Sequence, residues 1–90
     1  MKKYVIERNM PGVGGMSAGD LHGGSAKSNE VLKQLGTDVQ WLHSYVTADK
    51  IFCVYLAKNP ELVREHARLS GFPADAIHEV KTTIDPTTGA

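Results

Sequence analysis

The sequence predicts an α+β domain of the ferredoxin-like plan, β-α-β-β-α-β, with one antiparallel sheet and both helices on one of its faces. Three observations predict it: four strand-like runs, two helix-like segments, and the order in which they alternate.

The first run, Lys3–Met10, alternates Tyr4 and Ile6 with Val5 and Glu7, and Pro11-Gly12 stops it. Val39–Thr47 and Ile51–Lys58 are rich in β-branched and aromatic residues, which suit a pleated surface. Only Ala48-Asp49-Lys50 separates them, so the two make a hairpin. The fourth run is His78–Ile84, before Asp85-Pro86. In the first helical segment Ser17 and Asp20 resemble an N-terminal cap, and Leu21, Val31, Leu32 and Leu35 share a face before Gly36. Gly23-Gly24 oppose helix there by about 1 kcal/mol each against alanine. Either the helix starts near Ser25, or the glycines admit a close neighbour. Asn59-Pro60-Glu61 opens the second helix with a cap, a proline at the first position and an acid in the first turn. That helix ends at Gly71, with Phe72 folding back and Pro73 blocking extension.

Residues 1–90 read as a single domain whose last six residues, 85–90, form a flexible tail. Hydrophobic residues make up 41% and charged residues 22%, an ordinary globular balance that argues against disorder. No apolar run approaches the ~20 residues that cross a bilayer, so no membrane partner is expected. Met-Lys-Lys followed by a strand lacks the apolar region of a signal peptide, which predicts a cytoplasmic location. Ten basic residues balance ten acidic ones, so charge gives no case for nucleic acid. A single cysteine excludes an intrachain disulfide, a CxxC redox pair and a Cys-rich zinc site.

A three-residue hairpin loop pairs Val46 with Phe52, Ser44 with Val54 and Leu42 with Leu56, and turns this mostly apolar set toward the helices. A two-residue loop divides the apolar residues between both faces. The helix-free face then carries Trp41, His43, Tyr45, Cys53 and Tyr55, with Val5, Glu7 and Asn9 from the first strand. In the last strand Val80 and Ile84 point inward, with Glu79, Lys81 and Thr83 opposite. A face so aromatic is costly to leave in water, which predicts a homodimer whose sheets meet face to face around a cavity.

His43 and Glu7 stand out within that face. An imidazole and a carboxylate together can hold nickel, zinc or copper, or act as base and orienting acid. The competing role is structural: Glu7 pairs with Lys81, and His43 bonds Tyr45 or Ser44. Trp41, Tyr45, Tyr55, Asn9 and Cys53 line the expected ligand cavity, where the aromatics either stack on a flat ligand or pack an interface. Cys53 reads as a buried thiol or a metal ligand. His66 reads as an amphipathic-edge residue and His22 as solvated, and His78 and Glu79 point to opposite faces. Six of the nine glycines lie between Gly12 and Gly24. The stretch lacks the Gly-Lys-Ser/Thr ending of a phosphate loop and reads as a flexible connection, or a lid.

Tyr-Val-Ile-Glu-Arg at 4–8, Trp-Leu-His-Ser-Tyr-Val at 41–46, Phe-Cys-Val-Tyr at 52–55 and Ile-His-Glu-Val at 77–80 together resemble one family. It is a family of small bacterial ferredoxin-like proteins formerly of unknown function, with a nickel-binding member. The resemblance runs through nearly the whole chain up to Ile84. It implies a dimeric α/β barrel and divalent-metal binding, and the first functional reading is a non-catalytic protein that binds nickel or another divalent metal. Fold analogy adds an alternative: a cofactor-free monooxygenase, or a binder of aromatic ligands, using Trp41, His43, Asn9 and the tyrosines.

Overall fold

Alternation in the first strand sets the layers of the molecule. In the computed structural model, which describes residues 1–90, β1 (Lys2–Asn9) buries Tyr4, Ile6 and Arg8 on one side. It is followed by α1 (Ala18–Leu35), β2 (Val39–Val46), β3 (Lys50–Ala57), α2 (Pro60–Ser70) and β4 (Ala76–Glu79). The sheet is antiparallel, in the order β2-β3-β1-β4, so the predicted ferredoxin-like arrangement is what forms. The core gathers Tyr4, Ile6, Val39, Cys53, Tyr55 and Ala57 from the sheet against Val63 of α2. Leu32 and Leu35 of α1 pack on the same cluster. No helix is long and apolar enough to cross a membrane.

Both helices begin where their caps place them. Asn59 Oδ1 accepts from Leu62 N at 3.0 Å, and Gly71 closes α2 at φ 75°. Ser17 Oγ accepts from Asp20 N at 3.1 Å while Asp20 Oδ2 accepts from Ser17 N at 3.4 Å, a reciprocal cap that satisfies otherwise orphaned donors. The helix therefore runs from Ala18 through both glycines rather than from Ser25. A Cβ at Gly24 would stand 3.6 Å from Phe72 Cζ, so a close neighbour does sit there.

The hairpin register differs from the expected one. Val46 pairs with Ile51, Ser44 with Cys53 and His43 with Val54, one residue away from the Val46–Phe52 pairing that a three-residue loop requires. Thr47 N donates to Lys50 O at 2.8 Å and closes the turn. A bulge at Leu42 then shifts the ladder again, so that Trp41 pairs with Tyr55 and Val39 with Ala57. The cause lies in β1. Its buried Ile6 and Tyr4 pair with Cys53 and Tyr55, and that fixes the inward phase of β3. Trp41, Cys53 and Tyr55 consequently face the helices, and Phe52, Val54 and Leu56 take the helix-free side.

The last strand is shorter than expected and starts earlier. Asp75 anchors it, its N–H donating to Glu7 O at 3.0 Å and its Oδ2 accepting from Asn9 N at 2.6 Å. Val80 N donates to Lys3 O at 2.8 Å, and there β1 runs out, so residues up to Ile84 have no strand to join. Ile77 pairs with Ile6 in the inward phase, Glu79 shares that phase, and His78 lies on the opposite side beside Val5. At the end of the chain an exposed single turn, Pro86–Gly89, is capped by Asp85, whose Oδ1 accepts from Thr87 N at 2.9 Å.

The glycine-rich connection is pinned, not free. Gly12, at φ 77°, donates its N–H to Asp49 Oδ1 at 2.9 Å, and Gly14 N donates to Ala48 O at 3.0 Å. Val13 is thereby buried, and the segment caps one end of the sheet against the β2–β3 turn.

Candidate functional site

On the helix-free face, one cross-strand row runs His78–Val5–Val54–His43 and the next runs Ala76–Glu7–Phe52–Tyr45. His43 and Glu7 share the face, but β3 stands between their strands and they occupy different rows. Glu7 pairs with Lys50 at 3.4 Å, not with Lys81, whose ammonium binds Glu79 instead. His43 is exposed and meets the Tyr45 ring edge-on, with centroids 5.1 Å apart. Asn9 lies at the strand end. Nowhere in the chain do three His, Cys, Asp or Glu side chains stand together as a metal would need.

Three of the five predicted cavity residues are gathered on the opposite face. Trp41, Cys53 and Tyr55 line a cavity of about 160 Å³ between the sheet, α1 and the Val13–Gly15 turn; Tyr45 and Asn9 do not reach it. Its polar wall is a chain of buried groups. Arg8, only 2% exposed, donates from Nε to Cys53 Sγ at 3.4 Å, from Nη1 to Pro73 O at 2.6 Å and from Nη2 to Tyr55 Oη at 3.3 Å. Tyr55 Oη is 3.4 Å from His66 Nδ1, and His66 Nε2 is 3.0 Å from Ser28 Oγ. Phe72 lies beneath the guanidinium, its ring centroid 5.9 Å from the Arg8 carbon. Trp41 Nε1 donates to Ser44 Oγ at 2.9 Å on the far side.

His66 is therefore no edge residue: its exposure is 0%. Val63, His66, Ala67 and Ser70 share the buried face of α2, a spacing that groups His66 with the core. Arg8 follows Tyr4 and Ile6 at every second residue, and Ser28 stands three positions before Val31 on α1. Periodicity alone thus marks all three residues as inward. They escaped the sequence reading because residue type was weighed above phase.

Burial holds the His66 pKa below its ordinary 6.5, with the Arg8 charge acting in the same direction. Burial pushes the Tyr55 phenol up, opposed by Arg8. Both stay neutral at pH 7. The neutral imidazole donates to one of its two oxygen neighbours and accepts from the other. Well above pH 6.5 His66 is neutral folded or unfolded, and its contribution to stability is complete. Below that value the unfolded chain takes up the proton first, so stability falls with pH until the folded pKa is passed. The melting temperature of the wild type should drop across this window. His66→Gln, already less stable at pH 7, should show a flatter profile; parallel profiles would assign the acid sensitivity to another group.

The crystal structure of SCO4226 from Streptomyces coelicolor A3(2) is similar to this chain, with a TM-score of 0.76 over 91% of this chain and 99% of that one, at 21% identity. At that identity the likeness establishes the fold. No curated protein matches the chain. Residues 4–80 match the family described as "Nickel responsive protein SCO4226-like", and the chain belongs to that family.

Proposed function

We propose that the protein is a non-catalytic, cytoplasmic, nickel-responsive protein that binds the metal between two copies, on the helix-free face of the sheet. One observation carries this reading: His43 is exposed on that face, with no hydrogen bond to its ring, in a chain of a nickel-responsive family. One chain supplies too few clustered donors for a metal site. A second copy, docked face to face, doubles the donors that His43 and Glu7 offer, and His78 stands in the same row as His43. The face also has a reason to be covered. Tyr45 is 61% exposed there, beside the half-buried Phe52 and Leu56.

Calorimetric titration with Ni²⁺, together with sedimentation, tests the reading. The wild type should sediment as a dimer and bind Ni²⁺. His43→Ala should weaken binding about tenfold or more while the protein stays folded. Glu7→Gln should weaken it less, since Lys50 already competes for that carboxylate. Unchanged affinity in His43→Ala removes His43 from the site, and a folded monomer removes the shared face.

A further inference from the structure

We infer that the helix-side cavity is a binding site for a small monocarboxylate with an apolar body, its carboxylate held by Arg8. The inference begins with a charge that has no counter-charge. Arg8 is 2% exposed, yet it takes part in none of the ion pairs of the molecule. Its three acceptors are a sulfur, a backbone carbonyl and a phenol oxygen. Each terminal nitrogen keeps a second N–H. Two carboxylates that could have served are turned elsewhere. Asp20, the one acid in the cavity lining, is exposed at the rim and closes the cap of α1, while Asp75 holds Asn9 N. An isolated buried charge costs several kcal/mol. A ligand carboxylate offsets that cost, and a planar guanidinium is the group best shaped to receive one.

The rest of the cavity describes the remainder of the ligand. Val13, Leu21, Trp41, Ile51 and Phe72 make its walls apolar. Its volume of about 160 Å³ is close to that of a cavity known to accept benzene, ~150 Å³. Roughly six to nine non-hydrogen atoms fit such a space. Tyr55, whose hydroxyl accepts from Arg8, and Ser28 add hydroxyls at the charged end, and Ser44 adds one across the cavity. Met16, 45% exposed, and Val46, 44% exposed, stand at the rim, so a route from solvent exists. Asp20 at that rim disfavours a second negative charge. A dicarboxylate is therefore a poor occupant and a benzoate-sized monoacid a good one.

Trp41 is the only tryptophan, and its fluorescence reports occupancy directly. The full chain, in buffer with EDTA so that no metal holds a carboxylate, is titrated with benzoate and isovalerate and with the amide of each. Saturable quenching by at least one acid is expected, about tenfold or more tighter than by its amide. Phthalate should bind more weakly than benzoate. Arg8→Lys keeps the charge but loses the fork, and should weaken the acid about tenfold while leaving the amide unchanged. The comparison of acid with amide needs no variant, so it stands even if Arg8→Lys folds poorly. Acid and amide binding equally well would overturn the proposal, as would no quenching by either acid. Because EDTA is present throughout, neither result bears on nickel binding.

Discussion

Tyr55→Ala should lower the free energy of unfolding by about 4 kcal/mol, the range found when a buried aromatic is truncated. Tyr55 is 2% exposed, belongs to the central cluster, and its hydroxyl joins Arg8 to His66. Truncation removes the ring from between β1 and β2 and leaves the Arg8 and His66 nitrogens short of a partner. Tyr55→Phe separates the two effects. It keeps the packing and loses only the polar link, a cost of about 1–2 kcal/mol. Urea denaturation of the three proteins checks both figures. Equal losses in the two variants would mean that the hydroxyl, not the ring, dominates; a loss below ~1 kcal/mol in Tyr55→Ala would contradict its central place in the core.

Gly14→Ala should cost about 2–3 kcal/mol, although it adds one methyl group to an exposed position. The new Cβ would lie 2.7 Å from Thr47 O and 2.8 Å from Ala48 Cα. Both are backbone atoms of the β2–β3 turn and have no rotamer by which to move aside. Either the turn shifts or the Val13–Gly15 segment lifts, breaking the Gly14–Ala48 hydrogen bond and exposing Val13. Gly15→Ala is the control, since nothing lies within 4 Å of a Cβ there. It should change the melting temperature by little, while Gly14→Ala lowers it by several degrees. Similar behaviour of the two variants would show that the contact is not a constraint.

The order of elements, both helix caps and the inward phase of β1 were legible because each rests on a local rule. Alternation placed Tyr4 and Ile6, a side-chain cap placed Asn59, and a left-handed glycine ended α2. The hairpin was not legible in the same way. From Ile51 to Ala57 every residue is apolar, so neither phase of β3 segregates polar from apolar, and pattern alone has nothing to choose between. What chooses is pairing with β1, a contact across more than forty residues of sequence. The bulge at Leu42 compounds the difficulty, since one extra residue reverses the faces of half a strand. Trp41, Cys53 and Tyr55 were placed on the helix-free face, around a cavity between two sheets; they line a helix-side cavity instead. The buried chain through Arg8, Ser28 and His66 went unseen because charged and polar residues are ordinarily expected at the surface.

The place of β1 in the sheet also governs when the molecule can assemble. This strand is made well before either of its neighbours: β3 begins at Lys50 and β4 at Ala76. No pairing of β1 is local, and each contact it makes closes a long loop of chain. Folding of such a topology waits on distant partners and is slow for the size of the domain. On the ribosome, Tyr4 and Ile6 stay solvent-exposed until β3 has emerged. Arg8 waits longer, because its carbonyl acceptor is Pro73. The most buried cation in the fold is thus among the last groups to leave water, enclosed only when the segment that follows α2 has been synthesised.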